Sequence, residues 1–230
     1  MKIELSRSTN PNNPIDKTCL KNVESLNNLD VDGALIDINI YDDENKLLGD
    51  IEGCLLPDKA GFLITRFHYH EDDSSKKENI LSEFINFIFD FNKMGQWILE
   101  IYIHILGSNI KDYNLNHLGF CPSSNYGASE YYRKLNPNFI SIVSTLSEDQ
   151  EAYETLINRY NRSVSLATKR RELFSSRIKD CDYFLKDPST PVKDIERYTR
   201  EQKYYQEAIK ALGNLEKVEL DEEKKEVIND

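Results

Sequence analysis

The sequence predicts an α/β domain, a mixed sheet with flanking helices, followed by an antiparallel two-helix coiled-coil hairpin. Three observations predict it. Strand and helix signals alternate over residues 1–146. A heptad seam then runs without a slip from Tyr153 to Leu185. A break marked by prolines, "KDPSTP", separates that seam from a second one with the same spacing. The expected domains are 1–146 and 147–230, the second carrying the hairpin and an acidic tail.

The first domain reads in order. "KIEL" is a first strand, and "PIDKTCLKNVESLNNL" places Leu20, Val23 and Leu26 at helical spacing. Ala34–Tyr41, Leu47–Leu56 and Phe62–His70 follow as an antiparallel meander, with "DDEN" and "PDKAG" as its turns. In "ILSEFINFIFDFNKMG", Leu81, Phe84, Ile85, Ile88 and Phe91 form one stripe, and Gly95 is a natural C-cap. "WILEIYIHI" is apolar on both faces, as a central buried strand is. "NIKDYNLNHLGF" is a short helix. "NPNFISIVSTL" is expected to be the last strand, and "SSNYGASEYYRKL" before it stays unassigned.

Beyond Ser147 the pattern is purely heptad. A capping box, "SEDQ", starts a helix. Tyr153, Ile157, Tyr160, Val164, Ala167, Arg171, Phe174, Ile178, Cys181 and Leu185 step by four and three. Ile195, Tyr198, Gln202, Tyr205, Ile209 and Leu212 repeat the spacing after the break. A short loop makes the two helices return antiparallel. Beyond them the acidic tail is expected to fray.

Composition limits the function. The net charge of −11 is uneven: −8 over residues 1–146, +1 over 147–215 and −4 from Glu216 onward. An acidic body repels phosphates, so nucleic acid is an unfavoured partner. The basic run on the long helix, Arg159, Arg162, Lys169, Arg170, Arg171 and Arg177, is interleaved with acids and reads as a solvated flank. No apolar run approaches the roughly 20 residues that cross a bilayer, and no secretory h-region opens the chain. Both point to the cytoplasm and away from membranes. Cys19, Cys54, Cys121 and Cys181 are scattered, with no zinc-like spacing, and read as reduced structural thiols with no metal site.

The order strand, helical stretch, three-strand meander, helix, strand, helix, strand, together with "HLGF" at the end of the later helix, resembles the GNAT superfamily of N-acetyltransferases over about residues 1–146. The resemblance implies an acetyl-CoA pyrophosphate loop of the form Arg/Gln-x-x-Gly-x-Gly/Ala after the fourth strand. Aligned on the helix that ends at Gly95, the loop falls on "KKENIL". Lys76 takes the basic position, and Asn79 and Leu81 take the glycine positions. Side chains there crowd the approach that glycine permits. The acids 71–73 compete with a bound phosphate. The resemblance also implies a general-acid tyrosine near Leu115, and the nearest, Tyr113, is displaced by two residues. The cofactor site therefore reads as degenerate.

One constellation carries other chemistry. Arg66, His68 and His70 alternate on the fourth strand, and Glu100, Tyr102 and His104 alternate on the fifth. If register sets them on one face, His68, His70, Glu100 and His104 are candidates for general-base catalysis, or the histidines for metal binding.

The expected function is a non-catalytic adaptor or regulator acting through the coiled-coil arm, with no cofactor. The partner, a protein or a second copy, would meet Tyr153, Ile157, Tyr160, Val164, Phe174, Ile178, Tyr198 and Tyr205. The alternative is an acyl-CoA-dependent N-acetyltransferase with a divergent loop, using acetyl-CoA.

Overall fold

A computed structural model describes residues 2–7, 35–56, 60–70, 74–90, 98–104, 112–123, 131–146 and 150–220. The helical stretch expected around Leu20–Leu26 lies outside the described residues, as does the Gly95 cap. The chain divides into two compact units, Met1–Asn136 and Pro137–Asp230.

The first unit is a seven-stranded mixed sheet with helices, the α/β class that the sequence predicts. Its strands are β1 (Lys2–Arg7), β2 (Leu35–Tyr41), β3 (Leu47–Leu56), β4 (Gly61–Tyr69), β5 (Glu100–His104), β6 (Cys121–Pro122) and β7 (Tyr131–Leu135). They lie in the order β1-β2-β3-β4-β5-β7-β6. All pairings are antiparallel except β4 with β5. The crossover between those two carries α1 (Ser74–Asp90), as a parallel pair requires. A short α2 (Asp112–His117) precedes β6.

The meander forms because its turns are chemically specified. In the β2–β3 turn, Oδ1 of Asp42 accepts the backbone N–H groups of Glu44 and Lys46, both at 2.9 Å. Asn45 takes the left-handed conformation that asparagine tolerates (φ 62°). One face of the sheet packs on α1. Phe62, Ile64 and Phe67 of β4 and Ile101 and Ile103 of β5 meet Leu81, Phe84, Ile85 and Ile88 in one core. Phe62 and Phe84 meet edge-on at 6.1 Å. Gly53 makes room for this contact, since a Cβ there would lie 2.5 Å from the Phe62 ring. Glu100 and Leu99 are also buried, so β5 is covered on both faces, as its apolar run predicts.

The second unit contains α3 (Phe139–Leu146), α4 (Gln150–Lys186) and α5 (Val192–Leu212). The stretch expected as the last strand is α3. Its branched residues suggested a strand, but Phe139, Ile142 and Val143 recur at helical spacing and are buried, while Ser141, Ser144 and Thr145 are exposed. Asn138 stands at the N-cap, where its carbonyl accepts the first helical bond from Ile142 at 2.9 Å. The true last strand, β7, comes from the stretch that sequence left unassigned. α3 falls in the second unit, where it packs on α4.

α4 and α5 pack together as an antiparallel hairpin. Asp182 bonds Gln202, and Phe174 sits against Tyr204 (6.3 Å) and Tyr205 (5.6 Å). The break at Pro188 forms a tight turn. Oδ1 of Asp187 accepts the Ser189 N–H (2.8 Å) and hydroxyl (2.7 Å), and the Thr190 hydroxyl caps the Phe184 carbonyl at 2.7 Å. Gly213 ends α5 with φ +63°. The segment after α5 returns to α4. Val218 is bonded to Asn161 of α4, and Leu215, Val218 and Leu220 are half-buried while Glu216, Lys217 and Glu219 are exposed.

Candidate functional site

The decisive question on the first unit is whether the β4 and β5 sets share a face. The β4–β5 ladder is four pairs long, from Gly61 with Glu100 to Ile64 with Ile103. Phe62, Ile64, Ile101 and Ile103 point into the core, so Glu100, Tyr102 and His104 point to the other face. Strict alternation would send Arg66 and His68 into the core beside Ile64. It does not, because Thr65 is an extra residue. Ile64 pairs with Gly53 but Arg66 pairs with Glu52, so the register shifts between them. The bulge hands the core position to Phe67 and turns Arg66 and His68 onto the face of Glu100. The Thr65 hydroxyl fixes the bulge by donating to the Glu52 carbonyl at 3.1 Å.

Two groups of contacts can be traced on that face. In the first, β3 supplies the partners. Arg66 meets Glu52 at 2.8 Å and Asp50 at 3.9 Å, and His70 Nε2 lies 2.6 Å from Asp50 Oδ2. The His68 and His70 rings stand edge-on at 6.5 Å. This cluster is partly exposed. A carboxylate against one ring nitrogen orients the ring and fixes its tautomer, as it does for a general base.

The second cluster is buried. Glu100 is 0% exposed. The Tyr102 hydroxyl donates to its Oε2 at 2.5 Å, and Arg133 Nη1 approaches its Oε1 at 4.0 Å. β7 brings Arg133 there by pairing it with Tyr102. His104 is buried on the same strand face. Sequence reasoning missed Arg133, because it falls in the stretch left without an element and only the register of β7 places it. Among the described residues, no group of three or more His, Cys, Asp or Glu is arranged to hold a metal.

The positions aligned with the expected loop, Lys76, Asn79 and Leu81, fall inside α1, which begins at Ser74. Lys76 and Asn79 are exposed, and Leu81 is 1% exposed in the core. Lys77 lies over the Phe67 ring at 5.8 Å. Leu115 is likewise core. The Tyr113 side chain lies outside the described residues.

On the second unit, Ile157, Tyr160, Val164 and Phe174 are buried, Tyr160 against Phe139 at 5.3 Å. Tyr153, Ile178, Tyr198 and Tyr205 stay partly exposed. Of the apolar residues at the hairpin tip, the heptad reading took in Ile195 but not Tyr183, Phe184 or Val192. Tyr183 and Val192 are 69% and 75% exposed there, alongside Phe184 and Ile195, both 38%. Phe184 stacks on Tyr198 at 4.7 Å, and Arg197 covers Tyr198 at 4.6 Å. Sequence gave a signal in the adjacent aromatics "YF" just before the break.

No family model matches the chain, and no curated protein does. Among solved structures it is similar to an aminoglycoside 6'-acetyltransferase type Ii, at 15% identity and TM-score 0.33, over 57% of this chain and 96% of that one. It is also similar to the aminoglycoside 6'-N-acetyltransferase from Enterococcus faecium, at 14% identity and TM-score 0.32, with the same coverage. At these scores the fold assignment rests on the strand order and register, not on the likeness.

Proposed function

We propose that the chain is a non-catalytic adaptor or regulator that works in the cytoplasm through protein contacts of its helical hairpin. The observation that supports this is the apolar tip. Tyr183, Phe184, Val192 and Ile195 cluster where two helices turn, and they are exposed although the seam behind them is filled. Exposed aromatics grouped in this way are characteristic of contact surfaces. The partner is a protein surface or helix, or a second copy of the chain. Nucleic acid is disfavoured: Arg177 of the basic run pairs with Asp180 at 3.8 Å, and Arg170 lies over Phe174 at 4.8 Å. None of the described helices is long and apolar enough to cross a membrane.

The test is a double substitution, Phe184→Asp with Val192→Asp, in the full chain. Light scattering reads self-association, and co-purification reads other partners. Loss of assembly with an unchanged circular dichroism spectrum supports the reading. Unchanged assembly overturns it.

A second reading, an acyl-CoA-dependent N-acetyltransferase, is favoured by one observation. The bulge at Thr65 sends β4 five residues past its last pair with β5, with the Asp50–His70 pair alongside. In that reading His70 is the general base. Its test is His70→Ala in an acetyl-transfer assay.

A further inference from the structure

We infer that Arg133 is the anchor of a carboxylate-binding subsite on the β5–β7 face of the sheet. Arg133 is 8% exposed, yet its Nε and Nη2 atoms are buried with no hydrogen-bond acceptor among the described residues. A guanidinium is never deprotonated in a protein, so these donors carry charge that burial leaves unanswered. They are also a matched pair. Nε–H and Nη2–H point the same way in one plane, and form the fork that grips a carboxylate through two parallel bonds. Only Nη1, on the other side of the group, faces Glu100.

Glu100 cannot close the fork. Its Oε2 accepts the Tyr102 hydroxyl, and its Oε1 lies 4.0 Å from Nη1, while Nε and Nη2 have no hydrogen-bond partner among the described residues. The ladder fixes this division. Tyr102 and Cys121 flank Arg133 on either side as its cross-strand partners, which leaves Glu100 diagonal to it.

The chemistry selects a carboxylate. A monocarboxylate matches the single charge of the Arg133 guanidinium, which a dianionic phosphate exceeds. A carboxylate needs two coplanar donors, and the fork supplies two. A phosphate brings further oxygens, and the Tyr102 hydroxyl on the same face already donates to Glu100. The inference concerns the first unit alone and stands apart from the hairpin reading.

The test uses the full chain labelled with nitrogen-15. The Arg133 Nε–Hε resonance is assigned by through-bond correlation from its own backbone, so no variant is required. Sodium acetate is titrated at constant ionic strength, with sodium chloride and sodium phosphate as parallel arms. A short peptide with a free C-terminus, against its amide, separates a peptide source from a small-molecule one. A saturable shift with acetate or the free peptide, absent with chloride, supports the subsite. Arg133→Lys keeps the charge but loses the fork, and weakens acetate binding by at least about tenfold if the fork is responsible. A resonance that no carboxylate moves saturably, or that phosphate alone moves, overturns it.

Discussion

Asn161 holds Val218 with both ends of its side-chain amide. Nδ2 donates to the Val218 carbonyl at 2.8 Å, and Oδ1 accepts the Val218 N–H at 2.9 Å. The pair joins the segment after α5 to the middle of α4, across 57 residues of chain. It also brings Glu216 toward Tyr160, whose phenol is held above its ordinary pKa by burial first and by that carboxylate second. Each bond contributes about 1 kcal/mol net. Asn161→Ala should therefore cost about 1–2 kcal/mol and release the segment. Amide exchange at Val218 is the direct measurement, and unchanged protection there would refute the clamp.

Gly53→Ala should destabilise the first unit. A Cβ there would sit 2.5 Å from the Phe62 ring and 2.7 Å from the Leu63 carbonyl oxygen. The ring is 1% exposed and packs edge-on against Phe84, so its movement disturbs the core. Overpacking of this kind costs about 1–3 kcal/mol. Urea denaturation should show a lower midpoint at unchanged slope. A paired Gly53→Ala, Phe62→Leu variant should recover part of the loss.

What the sequence made legible was whatever short-range chemistry decides. The Asp42–Asn45 turn fixes the meander, the Leu81–Phe84–Ile85–Ile88 stripe fixes α1, and the heptads fix the hairpin. What stayed hidden depends on partners far away in the chain. The bulge at Thr65 is visible only once β3 supplies the register, and it alone decides the face of Arg66 and His68. Arg133 matters because β7 pairs it with Tyr102, and β7 was not recognised. α3 was read as a strand because Ile140, Ile142 and Val143 are branched, although the burial of Phe139 with Ile142 and Val143 follows a helix. Tyr183 and Phe184 were overlooked because a seam reading weighs only the a and d positions.

Alkaline stability should report on Cys54. Burial pushes its thiol from 9.0 up to about 11. The folded state keeps the proton that the unfolded state loses, so the stabilisation is fully present below pH 9 and is lost as pH rises toward 11. A two-unit shift corresponds to about 2–3 kcal/mol. The difference in unfolding free energy between the native chain and Cys54→Ala should shrink across that window, which cancels the titration of lysines and tyrosines common to both. A difference that stays constant from pH 8 to 11 would count against the buried thiol.

Phe174 and Phe184 lie on one helix but should behave oppositely. Phe174 is buried between Tyr204 and Tyr205 under Arg170. Phe174→Ala should cost about 3–5 kcal/mol and loosen the hairpin. Phe184 is partly exposed and touches Tyr198 and Tyr183. Phe184→Asp should change stability by less than about 1 kcal/mol while removing assembly. Thermal unfolding and light scattering on both variants separate folding from contact. A Phe184→Asp chain that unfolds as readily as Phe174→Ala would make the tip a structural element rather than a surface for partners.

Acetyl-CoA should not bind the chain with micromolar affinity. Micromolar binding requires about −8 kcal/mol. In the resembling enzymes the pyrophosphate rests on backbone N–H groups exposed by glycines. Here those positions, Asn79 and Leu81, lie in the second turn of α1 and beyond, where N–H groups are engaged by carbonyls four residues earlier. The Leu81 side chain is spent in the core with Phe84 and Ile85. Within the aligned segment, a phosphate can meet the first turn of α1 and the side chain of Lys76. Such contacts contribute about 0.3–1 kcal/mol each at a solvated helix end, far short of the requirement. Calorimetric titration should give no saturable heat at protein concentrations of tens of micromolar, and Lys76→Glu should change nothing. Saturable micromolar binding that Lys76→Glu abolishes would return the molecule to the acetyltransferases, with Asp50 and His70 as the pair to test next.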